Sequence, residues 1–134
     1  MRAAADSDQP IDPVAWIVPT LGEEPIAALV AAFYRQVPGD DLLAPMYPAA
    51  DLDGAEERLR DFLVQRFGGS ARYSERRGHP RLRMRHVNFA VDRPARDRWV
   101  ALMDRALDDS AMPAQAKAAI RAFVGEVATF LVNR

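Results

Sequence analysis

Apolar residues recur at helical spacing in one segment after another, and this periodicity limits what the chain can become. Between Pro25 and Pro38 the apolar set is Ile26, Leu29, Val30, Phe33, Tyr34 and Val37, the i, i+3, i+4, i+7 pattern of one helix face. A second helix is predicted from Asp53, with Glu56 three residues on in the manner of a capping box. It turns Ala55, Leu59, Phe62, Leu63 and Phe67 inward and Glu56, Arg60 and Asp61 outward, with Glu56 and Arg60 at the i, i+4 spacing that favours an ion pair, and Gly68-Gly69 ends it. A third begins at Pro94 and buries Trp99, Leu102, Met103 and Ala106. The last begins near Pro113 and buries Ala116, Ile120, Phe123, Val124, Val127, Phe130 and Leu131. Ahead of these, Asp12-Pro13 predicts a short helix through Trp16 and Ile17 that Pro19 should stop. Residues 40–53 read as loop or short helical turns. The expected class is all-α.

One segment, Ser70 to Asp92, escapes the pattern. Leu82, Met84 and His86 alternate with Arg81, Arg83 and Arg85, a spacing that fits a strand as well as a helix. With no second strand to pair with, irregular chain with a short helix around His86 is favoured, and the strand stays open as the alternative.

The 134 residues suit one domain, read here as residues 12–134 behind a small polar tail, Met1 to Ile11. The absence of cysteine excludes a disulfide scaffold, a thiolate-held cluster or finger, and a cysteine nucleophile. No apolar run approaches the roughly 20 residues of a membrane span, and the first residues lack the apolar stretch of a secretion signal. The expected location is therefore cytoplasmic, with no membrane partner.

Chemistry that needs an imidazole must come from His79 or His86, the only two histidines. No HExxH pair or similar spacing exists, which argues against a zinc site made by side chains alone. One histidine is sufficient where a macrocycle supplies the other ligands: a haem needs one axial ligand, an apolar slot and cations for its propionates. His79 lies between Gly78 and Pro80 and reads first as a turn residue. Seventeen of the 18 basic residues are arginine, and six fall between positions 72 and 85: Arg72, Arg76, Arg77, Arg81, Arg83 and Arg85. They read as an ion-paired face, a nucleic-acid patch or a carboxylate-binding set. A net charge of −1 weighs against nucleic acid, and arginine suits carboxylate geometry. The aromatics Phe33, Tyr34, Tyr47, Phe62, Trp99 and Phe123 sit on apolar faces or beside them. Buried tyrosine and tryptophan need hydrogen-bond partners, so Tyr34, Tyr47 and Trp99 in one pocket would suit a small polar ligand.

These residues fall in recognisable strings: Phe33-Tyr34, Met46-Tyr47-Pro48, Ala55 to Leu59, Gly68-Gly69, the block Tyr73 to His86, and Arg96 to Trp99. Through them, from about Ile26 to Asn133, the chain resembles the group II (bacterial O-type) truncated haemoglobins. The resemblance implies a truncated globin, a two-on-two helical sandwich around haem b, with loop and a short helix between Ser70 and Asp92. It implies His86 as the iron ligand, and Arg85 and Tyr73 at the haem propionates. Leu59, Phe62, Met84 and His79 are expected as further cofactor contacts. The distal pocket is expected from Tyr34, Tyr47 and Trp99 as donors, with Ala55 and Phe33 beside them. The implied function is binding of dioxygen or another diatomic ligand. The alternative is a haem-dependent redox enzyme of peroxidase or nitric-oxide-dioxygenase type. An unidentified reductase is the expected partner, and the chain is expected as a monomer or homodimer.

Overall fold

Five residues, Ile17–Leu21, make α1, the first helix among the described residues, in a computed structural model that describes residues 11–134. The expected tail lies outside the described residues except for Ile11. Asp12 opens this region, its Oδ1 accepting from the Val14 and Ala15 amides at 3.0 Å each. Pro19 does not stop the helix. It sits in the first turn, where the amide it lacks would have had no intrahelical acceptor. Gly22, at φ 87°, ends α1 instead.

The main helices follow the periodic segments. They are α2 (Glu24–Gln36), α3 (Leu52–Arg66), α6 (Arg93–Asp109) and α7 (Ala114–Phe130). Two short helices, α4 (Arg72–Arg77) and α5 (Leu82–Arg85), fill the ambiguous segment. No strand occurs among the described residues, so the strand alternative falls. Residues 37–51 run through three single 3-10 turns, as the proline and aspartate spacing predicts. No described helix is long and apolar enough to cross a membrane.

α2 packs on α3, α6 packs on α7, and α2 joins the two pairs through α6. This is the all-α two-on-two globin arrangement. Ile26, Leu29, Val30 and Phe33 of α2 are buried at the centre with Met103, Leu107 and Ile120. Each such side chain contributes roughly 1.5–3 kcal/mol by leaving water.

Four local expectations are corrected. α3 starts at Leu52, one residue before the predicted cap, and Asp53 lies inside its first turn, where the helix dipole favours an acid. Glu56 and Arg60 form no ion pair; Arg60 reaches Glu57 and Asp61 instead. Asp61, expected outside, is buried, because α4 folds back onto that face of α3 and covers it with Arg72, Arg76 and Arg77. Phe130, expected inside, is 56% exposed, since α7 ends there and its ring lies under the Arg83 guanidinium at 5.2 Å.

Gly68 carries the joint between α1 and the end of α3. Its φ is 93°, and a Cβ there would lie 2.0 Å from the Ala15 carbonyl oxygen. The close approach lets the Val18 amide donate to the Phe67 carbonyl at 2.9 Å.

Candidate functional site

A cavity of about 480 Å³ opens between the two helix pairs. Most of its wall is apolar, with Leu43, Leu63, Leu82, Phe89, Phe123, Val127 and Leu131 among the lining side chains. Val127 and Leu131, predicted as core, are half-buried because they face this space.

His86 enters the wall from the C-terminal end of α5. Its Nδ1 lies 2.7 Å from the Leu82 carbonyl oxygen, one helical turn back. A carbonyl only accepts, so Nδ1 carries the hydrogen and donates. In the neutral ring this leaves Nε2 with a free lone pair, the arrangement by which a protein fixes a histidine as a metal ligand. The His86 backbone is braced as well: the Asn133 side chain donates to the His86 carbonyl at 3.2 Å and to that of Phe89 at 3.0 Å.

Arg85 also lines the cavity. Its Nε donates to the Pro80 carbonyl at 2.6 Å, and its Nη2 to those of Arg77 and His79 at 2.8 and 3.3 Å. The Nη1 group makes no such bond among the described residues. Tyr73, from α4, is buried in the wall and meets Phe62 edge-on, with ring centroids 5.6 Å apart.

Across the cavity, α2, the 3-10 turns and α6 bring three polar aromatics together. The Tyr34 and Tyr47 rings meet edge-on at 5.6 Å. Phe33 packs at 5.0 Å against both Tyr34 and Trp99 and so holds them apart at a fixed spacing. Burial pushes the Tyr47 hydroxyl above the usual phenol range, and the neighbouring Trp99 and Tyr34 offset part of this. Tyr34 is pushed far up, by burial first and by Tyr47 second. All three residues thus remain neutral at ordinary pH.

Of the residues expected from sequence, His86, Arg85, Tyr73, Leu59, Phe62, Tyr34, Tyr47, Trp99 and Ala55 line the cavity. Three do not. Met84 is 57% exposed on the far side of α5, since a residue two places from His86 on a helix faces away from it. His79 is exposed and accepts from the Arg81 amide at 3.0 Å, a turn contact outside the wall. Phe33 is fully buried behind Tyr34 and Trp99. Sequence reasoning missed Asp51, Arg58 and Arg96, which also line the space. Arg58 and Asp51 pair at 2.6 Å across the start of α3. Their one signal in the sequence was a spacing of seven, two turns along a helix that begins only after Asp51.

No group of three or more histidine, aspartate or glutamate side chains among the described residues is placed to hold an ion. The wall instead combines one imidazole lone pair, extensive apolar surface and the cations Arg58, Arg85 and Arg96. That donor set fits a flat, apolar macrocycle that bears carboxylates and needs one axial ligand.

The family model for bacterial-like globins matches residues 20–133. A group 2 truncated hemoglobin of Bacillus subtilis, YjbI, is 34% identical over 114 residues, spanning 85% of this chain and 77% of that protein. Among solved structures, a thermostable hemoglobin from Thermobifida fusca matches with a TM-score of 0.81 at 48% identity, over 84% of this chain and 92% of the other. The truncated oxygen-avid haemoglobin of Bacillus subtilis matches with a TM-score of 0.82 at 31% identity, over 92% and 100% of the two chains.

Proposed function

The chain belongs to the bacterial-like globins, as a haem-binding group II truncated haemoglobin, and on that premise we propose that it holds haem b through His86 and binds dioxygen reversibly. The observation that carries this reading is the His86 ring itself: it faces the cavity with Nδ1–H tied to the Leu82 carbonyl and Nε2 left free. Haem, when bound, would be held by His86 and would supply an iron able to bind a small ligand.

The rest is done by the chain. Arg85, through its unengaged Nη1, and Arg58 and Tyr73 are the wall groups suited to haem carboxylates. The apolar wall excludes water and so strengthens any hydrogen bond made inside. Tyr34, Tyr47 and Trp99 share one wall of the cavity, and they are its neutral donors for a bound ligand. A hydrogen bond to a ligand that gains negative charge stabilises it by about 1.5–3 kcal/mol. The absence of a distal histidine leaves this work to the aromatics, and the likeness to an oxygen-avid haemoglobin supports slow release. Slow release suits sensing, scavenging or redox chemistry better than bulk transport.

Haemin titration followed by absorbance tests the assignment. The wild-type chain is expected to give a Soret band with the signature of one histidine ligand. His86→Ala should lose that signature and regain it when imidazole is added. An unchanged spectrum in His86→Ala would overturn the ligand assignment.

A further inference from the structure

The arginine cluster divides in the fold. Arg72, Arg76 and Arg77 turn inward to Glu23, Asp61 and Glu57. Arg85 turns onto backbone carbonyls. Arg81, Arg83 and Arg93 make no ion pair among the described residues, and all three are exposed. Segment 81–93 holds four arginines against one acid, Asp92, whose carboxylate is occupied by the Ala95 amide at 2.9 Å. The whole chain has a formal net charge of −1, so the excess of arginine over acid in this segment is a local one.

The same edge carries apolar side chains that the fold leaves outside. Val87, Phe89 and Phe130 are 61%, 41% and 56% exposed, and they lie on segments that the fold ties together. Arg83 spans to Phe130, and Asn133 ties the end of the chain to the His86–Phe89 turn. The surface is continuous with the haem cavity, because Phe89, 6.1 Å from the His86 ring between centroids, is both partly exposed and part of the wall.

We propose that this face docks an acidic electron-transfer protein, one that carries a flavin or an iron–sulfur cluster and delivers electrons to the haem beside His86. The inference rests on the haem reading above. Exposed apolar side chains beside unpaired arginines match a partner with apolar and acidic groups on one face. A second copy of this chain fits badly, since a two-fold contact would set arginine against arginine. Nucleic acid fits less well than protein, because exposed apolar side chains share the edge with the arginines, and Arg83 lies over the Phe130 ring. The step is a one-electron transfer: the reduced donor is oxidised by one electron and ferric haem becomes ferrous, with no bond made or broken in the protein. Redox encounters of this kind bury less than about 1,200 Å². The association should therefore be weak and steered by charge.

A plant-type [2Fe–2S] ferredoxin, which is strongly acidic, serves as the probe. Its binding to the haem-loaded chain and to the haem-free chain is measured by NMR line broadening. Its reduction of the haem is followed in stopped flow, with carbon monoxide trapping the ferrous product. Binding and reduction should weaken about tenfold between low and high salt. Arg83→Glu and Arg93→Glu should each weaken both by a similar factor, while Lys117→Glu, on α7, should leave them unchanged. Salt-independent reduction would overturn the proposal, as would Arg83 and Arg93 variants no weaker than Lys117→Glu. Tighter binding of a single-stranded oligonucleotide, or self-association abolished by Val87→Asp, would also overturn it. If haem is not retained, the haem reading fails by its missing Soret band, while binding to the haem-free chain still decides whether the face docks an acidic protein.

Discussion

Tyr34 and Tyr47 line one cavity with their rings edge-on at 5.6 Å, and each hydroxyl is a donor for a ligand bound there. Tyr34→Phe and Tyr47→Phe should each speed dioxygen release, by about tenfold or more where the hydroxyl makes one hydrogen bond to a charged group. An unchanged off-rate in stopped flow for either variant would mean that its hydroxyl does not reach the ligand. Burial pushes both phenols above the ordinary value of 10.0. A phenol with a raised folded-state pKa is neutral throughout the range below it, and any stability it lends is lost only on the alkaline side. The off-rates should accordingly be the same at about pH 6 and pH 9, below the usual phenol ionisation. That Tyr34, Tyr47 and Trp99 belong together was legible from residue type. How their rings pack against one another was not, because that depends on three side chains from three separate segments.

Helix α3 shows how an element can mislead. Asp61 stands between Arg60 and Phe62 and reads as a surface acid. α4 packs on that face and buries it, with Arg76 at 3.2 Å, Arg77 at 3.5 Å, and Arg60 and Arg72 at 3.7 Å. Its Oδ1 has no hydrogen-bond partner within the protein, so charge, not hydrogen-bond geometry, holds that oxygen. Removing one member of a buried ion pair costs about 3–5 kcal/mol. Here the guanidinium groups are partly exposed and can turn to water, so Asp61→Asn should cost nearer ~2 kcal/mol. Urea unfolding of the haem-loaded protein measures it, and an unchanged midpoint would mean that α4 docks without the acid. At the other end of α3, Gly68→Ala should cost at least ~2 kcal/mol, because a left-handed backbone and a clash with the Ala15 carbonyl coincide there. Gly39→Ala is the control: nothing lies within 4 Å of its added Cβ. If both variants melt alike, the joint between α1 and α3 is looser than its geometry implies.

At the scale of the molecule, the two helix pairs enclose an apolar-walled cavity of about 480 Å³, the space proposed for haem. A ligand that binds only the folded state stabilises it by mass action. Stripping the haem should lower the melting temperature, and amide exchange should rise first in residues 78–92. The four-residue α5 there is far below the length at which a helix holds by itself. Equal melting temperatures with and without haem would contradict this. The sequence by itself determined the helical class, the positions of the four long helices and the restriction of imidazole chemistry to two candidates. Helical period is written locally, and each apolar stripe is visible within its own segment. Only the tertiary structure decided which arginines turn in to Asp61 and which stay out, that His86 faces the cavity while Met84 and His79 do not, and that Phe130 lies open. Those outcomes depend on what a distant segment brings to each face, and burial of charge or ring follows from that neighbour and not from the residue's own spacing.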